Sequence, residues 1–599
     1  MADSARLVAD LIVDRLRAWR VPRVFGYPGD AVAGIVAALC RAGDDPGFVR
    51  VRHEEAAGFM ATGHAKFTGG VGVCLANDGP GAIRLLPGLY DAKLDGQPVV
   101  AIVGEQALAP LGSAYRQGIE PARLFADACG QFLRSARTAE QVPILVDRAF
   151  RVAVATRSPT CVVVPDTLQS QTVSDPFPSY GGSGAMAPGL PPARVVPHDS
   201  DLNAAAQVIG AGRRVAILVG QGASGAAPEI LELADRVEAG VATSLLGKPV
   251  LDERLPFHTG VMGHLGGAAS TQLMAGCDTL VLIGTNDPWT DFYPMPGQAN
   301  AVQIDIDGRK LATRYPVEVP LVGDAAGTLR ALLPLVPERR NRDWRDLVEA
   351  SVDRWRAEAV CRTEEPAEPV NPRRVLYELS PRMPLDASVT VDVGSVTYWY
   401  AQHLQLPVGV RAQVCGTLAA MGTALPYAVA AKLAAPDRPV IALTGDGAMQ
   451  MDGLAELVTI ADRWSEWSDP RLVVLVLNNR DRAGRIGAGP PSWDPARSQR
   501  TGPGAPLPDV PYAGWARLLG LHGIRVDRPE LVGAAWDEAL AADRPTVVEA
   551  VVDPSVALHP PELPFAHLRG APAAPAEPGD RAMRDALLRE RVTATEDLS

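Results

Sequence analysis

The residues of this chain best suited to chemistry lie between Gly445 and Asn479, where Gly445-Asp446-Gly447 follows the apolar run PVIALT and RLVVLVL ends on Asn478 and Asn479. PVIALT has the composition of a buried parallel strand, and LAELVTIADRW after the turn has the spacing of a helix. The turn is therefore expected at the carboxyl end of a strand. Glycine lets a backbone approach a ligand closely, and a helix N-terminus offers free N–H groups to phosphate oxygens. Asp446 adds a hard anionic oxygen, and a parallel strand returning beside the first brings an asparagine oxygen toward the same point. This donor set suits a magnesium-held diphosphate. A lone Gly-Asp-Gly is a common tight turn, so the surrounding strand, turn, helix and strand give the motif its weight.

Three further segments accompany it: VRHEEAAGFMATGHAK at 51–66 with ANDGPGAIRLLPGLYDA at 76–92, DVGSVTYW at 392–399, and GTLAAMGTALPYAVAAK at 416–432. Taken singly each has a plain alternative. Glu54 and Glu55 could simply favour the dipole of a helix start, and Met421 could be ordinary core. In their order and spacing the segments resemble the thiamine diphosphate-dependent enzymes of the acetolactate synthase and pyruvate oxidase family, through almost the whole chain up to about residue 556.

The resemblance implies roles residue by residue. Asp446 and the Asn479 side chain would bind Mg²⁺, with the Asp481 carbonyl as third protein ligand, and Gly445, Gly447 and Ala448 would border the diphosphate. Gly394 and Ser395 would lie near the phosphates. Met421 would be the wedge between the cofactor's rings, and the Ala419 carbonyl would receive the aminopyrimidine's hydrogen bond. Glu54 would hydrogen-bond the pyrimidine ring and favour its imino form, so that the exocyclic nitrogen can take the thiazolium proton. The cofactor would carry the carbanion chemistry and the protein would position and tune it.

The middle of the chain holds GRRVAILVGQGASG, with Gly220, Gly222 and Gly225 in GxGxxG spacing after a strand. No acid stands convincingly about twenty residues on to bind a ribose, so NAD is not inferred. LLGKPVLDERLPFHTGVMGHLGG, LVLIGTNDPWTDFYP and VQIDIDGRKL instead resemble the flavin-binding middle domain of quinone-dependent pyruvate dehydrogenases and pyruvate oxidases. On that resemblance Gly263, His264, Leu265, Gly284, Thr285, Asn286, Asp287, Pro288, Asp305 and Ile306 would line an FAD. The alternative is a flavin-free domain of the same fold.

Two pocket segments depart from the family's pattern. In GSAYRQGIEP, Gln117 is matched, but Arg116 stands where relatives carry an aromatic residue against the substrate's methyl group. Arg116 either clamps a substrate carboxylate, as would suit a diacid or another anionic oxo acid, or points into solvent. After Asn479 the chain reads RDRAGRIGAGPPSWDPARSQRTGPGAP, with Ala483 at an expected glycine and Gly/Pro-rich sequence where an apolar helix is expected.

The remaining elements must position these residues. A length of 599 residues suggests about three or four domains. Alternating helix and strand patterns predict an α/β fold of three doubly wound parallel-sheet domains. The expected bounds are a pyrimidine-binding domain at 1–180, a Pro/Gly/Ser-rich linker at 181–200, a middle FAD-type domain at 201–340, a diphosphate-binding domain at 365–556 and a C-terminal tail at 557–599. The resemblance further implies that the first and third domains are distant copies of one fold.

A net charge of −12 argues against nucleic-acid binding. Seven dispersed cysteines without a CxxC or Cys/His cluster fit reduced thiols in a cytoplasm. The N-terminus lacks a signal peptide's unbroken apolar stretch, no eighteen-residue apolar run occurs, and the tail gives little support for membrane contact. The expected activity is decarboxylation of a small 2-oxo acid, pyruvate by default, with electrons passing through FAD to an acceptor. The runner-up is a carboligase or lyase resembling acetolactate synthase, with flavin structural or absent, and a third class is a cofactor-binding scaffold without turnover. Family architecture implies a homodimer as the minimum assembly and a homotetramer as a common one.

Overall fold

A computed structural model of the chain describes residues 6–109, 112–173, 194–480, 507–559 and 561. The first domain contains β1 (Arg6–Leu7), β2 (Arg23–Gly26), β3 (Gly47–Arg50), β4 (Gly72–Ala76), β5 (Val99–Glu105), β6 (Leu133–Ser135), β7 (Pro159–Pro165) and β8 (Thr172–Val173). The middle domain contains β9 (Val215–Val219), β10 (Gly240–Thr243), β11 (His258–Val261), β12 (Thr279–Ile283), β13 (Asn300–Asp305) and β14 (Val319–Val322). The third contains β15 (Ser388–Val391), β16 (Arg411–Val414), β17 (Val440–Gly445), β18 (Leu472–Asn478), β19 (His522–Val526) and β20 (Thr546–Val551).

These form three six-stranded parallel sheets, ordered β3-β2-β4-β5-β7-β6, β11-β10-β9-β12-β13-β14 and β16-β15-β17-β18-β20-β19; β1 and β8 pair apart as an antiparallel ribbon. Numbered within each domain, the first and third sheets share one order, 2-1-3-4-6-5. The topology thus carries the kinship of these two domains that sequence periodicity does not. The middle sheet has the order 3-2-1-4-5-6, the dinucleotide-fold order. In open sheets of this kind ligands settle beyond the carboxyl ends of the strands, where the order reverses. The reversals fall between β2 and β4, between β9 and β12, and between β15 and β17.

Strands such as β5, β7, β9, β12 and β18 are buried along nearly their whole length because helices cover both faces, which is why they read as unbroken apolar runs. The Glu54–Thr68 helix is buried on every side. It lies between the first sheet and the Ala424–Ala434 helix of the third domain, and one apolar core joins Phe59 and Met60 to Tyr427, Ile460 and Tyr512. Its small residues make this possible, since a Cβ at Gly63 would lie 2.9 Å from the Tyr427 ring. Lys66 on the same helix donates to Asp91, Asp95, Tyr427 and the Val414 carbonyl at 2.7–3.0 Å with no exposed side chain. Burial opposes its charge, but Asp91 and Asp95 overcome that and hold it protonated above the usual lysine range.

Candidate active site

β17 and β18 pair in parallel register, Gly445 opposite Leu477, so Asn478 and Asn479 follow directly beside the Asp446 turn. Asp446 is buried. Its Oδ1 accepts the Gly447 amide at 2.9 Å and its Oδ2 accepts the Arg480 amide at 2.7 Å, tying the turn to the end of β18. Tyr512 donates to the Asp446 carbonyl at 3.3 Å and receives the Gln450 amide at 2.8 Å. The asparagine pair divides as strand alternation requires. Asn478 turns inward to Glu549 and Asp509, while Asn479 lines a small cavity with Ser395, Trp399, Leu477 and Asp553.

Ser395 opens the Ser395–His403 helix behind Gly394, whose φ of 133° and ψ of −157° belong to glycine alone. At the end of β15, Asp392 accepts amides from Val393 at 2.9 Å and Gly422 at 2.8 Å, and the Thr444 hydroxyl at 2.9 Å. Burial raises its pKa and these donors pull it back. Asp392 thereby joins β15, the 422–424 turn and β17 into one frame. No local pattern marks it, because its partners beyond Val393 lie 30 to 52 residues away.

Ala419 occupies the left-handed region at φ 59°, and Met421 beside it is 36% exposed although apolar. A Cβ placed on Gly447 would stand 3.5 Å from Met421 Cε, so the thioether reaches the Gly445–Gly447 turn. The turn does not run into one regular helix as the apolar spacing suggests. A short helical turn at Asp446–Ala448 passes through a π-helical stretch at Met449–Gly453 before the helix Leu454–Arg463. Such stretches are frequent at functional sites.

On the first domain, Glu54 begins its helix with little exposure and accepts Arg84 Nη1 at 3.3 Å. Gly81 makes room for it, since a Cβ there would lie 3.0 Å from Glu54 Oε1. Gln117 is left-handed at φ 60° and presses on Gly79, whose missing Cβ would lie 2.9 Å from Gln117 Cβ. Arg116 is exposed and meets Asp30 at 3.4 Å. Glu54, Gln117 and Arg116 therefore share the loops at the carboxyl edge of the first sheet. Among the described residues, the ion pair of Glu54 is with Arg84 and none joins it to the Asp446 turn. Asp481 and Ala483, with the rest of 481–506, lie outside the described residues.

In the middle domain the first two GxGxxG glycines, Gly220 and Gly222, have a packing role. A Cβ on Gly220 would meet the Gly284 carbonyl at 2.3 Å, and the Gly222 amide donates to that carbonyl at 3.0 Å, so the turns after β9 and β12 touch at the reversal point. Gly284 has φ 56°, Thr285 accepts Gln303 through its carbonyl, and Asn286 accepts the Thr313 hydroxyl at 2.7 Å. Buried Asp287 accepts the Trp289 amide, and burial pushes its carboxyl up to about 7. His264 sits edge-on to Trp289 and Phe292 with centroids 4.8 Å apart, and burial lowers its pKa. Gly263 is required by the Trp289 ring, 2.3 Å from its would-be Cβ, while Leu265 packs on the third domain's core. Asp305 ends β13 largely buried, with its pKa raised by burial, and the neighbouring Ile306 is 48% exposed.

Asp446 and Asn479 supply hard oxygens at a sheet reversal beside a helix start and a glycine-only turn, which fits a diphosphate held through a divalent cation. Comparison with known proteins settles the family. The chain matches "Thiamine pyrophosphate enzyme, N-terminal TPP binding domain" over residues 6–124, the "central domain" over 202–332 and the "C-terminal TPP binding domain" over 392–550. It belongs to the thiamine pyrophosphate enzyme family.

Within this family it is 33% identical over 541 residues to YdaP of Bacillus subtilis (strain 168), whose description as a thiamine pyrophosphate-containing protein is itself provisional; the match covers 90% of this chain and 91% of the relative. Acetolactate synthase isozyme 2 large subunit of Escherichia coli (strain K12) is 30% identical over 91% of this chain and 95% of its own. Pyruvate oxidase of Lactiplantibacillus plantarum is 27% identical over 91% of this chain and 88% of its own. Among the described residues no helix is long and apolar enough to cross a membrane.

Proposed function

We propose that the protein uses thiamine diphosphate and Mg²⁺ to decarboxylate a 2-oxo acid, with pyruvate as the reference substrate, and passes the electrons through FAD to an acceptor. The observation that carries the reading is the Asp446 carboxylate, locked between its own turn and the end of β18 beside Asn479. Thiamine diphosphate, when bound, supplies the electron sink that makes loss of CO₂ from a 2-oxo acid accessible.

The chain's own residues do the rest. Asp446 and Asn479 would hold the cation, Gly394, Ser395, Gly445, Gly447 and Ala448 would leave room for phosphate oxygens, and by the family resemblance the carbonyl of Asp481, outside the described residues, would be the third protein ligand. Met421 and the Ala419 carbonyl orient the cofactor rings. Glu54 exchanges a proton with the pyrimidine side, and Arg84 sets its charge environment. Gln117 contacts substrate. Gly263, His264, Leu265, Gly284, Thr285, Asn286 and Asp305 would hold the flavin, a reading supported by the dinucleotide-type strand order and by the exposed apolar Ile306 beside Asp305. The protein is read as a cytoplasmic homodimer at minimum, with a homotetramer expected, because Glu54 and the Asp446 turn are borne on separate domains whose pairing across subunits is the family arrangement.

A second reading, a carboligase like acetolactate synthase, is favoured by the 30% identity to that enzyme over nearly its full length. Single-turnover release of CO₂ that requires both Mg²⁺ and thiamine diphosphate tests the decarboxylation. Product analysis then separates a reduced acceptor from a coupled hydroxyketone.

A further inference from the structure

At the junction of the first and third domains, the segment carrying Glu54 faces the π-helical stretch beyond the Asp446 turn. His53, Glu55 and Asp452 each present one donor atom there, and the three atoms lie within 4.8 Å of one another. His53 Nδ1 is closed from solvent and has no hydrogen-bond partner. It stands 3.9 Å from Glu55 Oε2, too far for a hydrogen bond. Two donors each about 2.0–2.2 Å from one tetrahedral ion stand about 3.3–3.6 Å apart, so a few tenths of an ångström of side-chain movement brings this pair to ligand spacing.

No lysine or arginine among the described residues forms an ion pair with Glu55 or Asp452. Arg52, the nearest in sequence, is engaged by Asp462 at 3.0 Å and by Thr459 at 3.3 Å. Arg84 is engaged by Glu54. One helical turn beyond Asp452, Glu456 is 1% exposed with neither carboxylate oxygen hydrogen-bonded. Glu55 and Asp452 therefore converge on one imidazole, and among the described residues neither has a lysine or arginine ion-pair partner. The protonation equilibria agree. Burial raises Glu55, and burial followed by the charge of Glu55 pushes Asp452 up to about 6.

We propose that His53, Glu55 and Asp452 bind a divalent cation of the zinc or manganese class, distinct from the ion held at Asp446, and that this cation clamps the first domain to the third. An imidazole nitrogen with two carboxylates is a donor set these ions accept, with water filling the open positions. The cation would offset the repulsion between Glu55 and Asp452. It would also fix the first turn of the Glu54–Thr68 helix against the helix that follows the Asp446 turn.

The test is a calorimetric titration of the full-length, chelator-treated and cofactor-free protein with Zn²⁺, with melting temperature followed in parallel. The Asp446→Ala variant should retain one zinc site per chain. Asp452→Asn should bind at least about tenfold more weakly and lose the zinc-dependent rise in melting temperature, and His53→Gln should do the same. Asp452→Asn without metal should melt no lower than wild type, since it removes a repelled charge; if it does not fold, His53→Gln decides. Zinc titrations of Asp452→Asn and His53→Gln that match wild type, or absence of zinc binding to wild type, would overturn the proposal.

Discussion

Asp446 Oδ2 accepts the backbone amide of Arg480 at 2.7 Å, so the carboxylate on one parallel strand's turn is fixed by the end of the next. The same carboxylate caps its own turn through Gly447. Both carboxylate oxygens are thus positioned by backbone donors rather than by another side chain.

Asp446→Ala should fold and lose Mg²⁺-dependent affinity for thiamine diphosphate by about 10- to 100-fold. Asp446→Asn keeps an acceptor oxygen for one of the two amides and loses the charge, and should fall between. Trp399 lines a cavity with Asn479 and Ser395, so tryptophan fluorescence can follow the titration. An unchanged titration in Asp446→Ala would remove the carboxylate from the metal site.

Glu54→Gln should leave thiamine diphosphate binding near wild type and lower turnover by roughly 10²–10⁴-fold, the range of a lost general acid–base group. The ion pair with Arg84 is half-open to solvent and contributes little to folding. Single-turnover CO₂ release checks this, and near-normal rates would reassign Glu54 to a helix-start role.

Arg116 is exposed and held only loosely by Asp30, so its guanidinium is open to an anionic substrate group. Arg116→Phe should shift kcat/KM from dicarboxylic 2-oxo acids toward pyruvate by about 10- to 100-fold, the worth of a charged hydrogen bond. A ratio unmoved by the substitution would place Arg116 in solvent.

Glu456 contributes a pH dependence whose sign follows from its burial. Burial raises its carboxyl from the ordinary 4.5 to about 7; Thr459 and Arg52, its nearest polar groups, counter this only in part, and neither meets hydrogen-bond geometry. An acid raised in the folded state contributes stability below about pH 4.5 that is lost as pH rises through about 7. Metal-free Glu456→Gln should therefore match wild type in stability near pH 4 and exceed it near pH 8, by about 2–3 kcal/mol at most. Equal pH profiles for the two proteins would contradict the assignment.

The β17, Asp446 turn and β18 unit was legible because strands buried on both faces read as apolar runs, and the residues ending them stand out. The three parallel sheets were legible for the same reason. Asp392 was not, since an aspartate after a strand looks ordinary until its partners at 422–424 and 444 are folded against it. The glycines at 220 and 222 show the converse. Their spacing suggests a nucleotide, yet the contacts they permit are with the Gly284 turn. The π-helical stretch at Met449–Gly453 left no mark in the spacing, because its two apolar side chains, Met449 and Met451, are too few to set a period.

The most direct measurement is the absorption spectrum of the purified protein, recorded anaerobically before and after adding thiamine diphosphate, Mg²⁺ and a 2-oxo acid, beginning with pyruvate and continuing with dicarboxylic 2-oxo acids. Flavin bands that bleach only when all three are present, with CO₂ released, are the predicted result. CO₂ release with flavin absent or remaining oxidised, accompanied by a coupled hydroxyketone, would contradict oxidative decarboxylation and establish the carboligase.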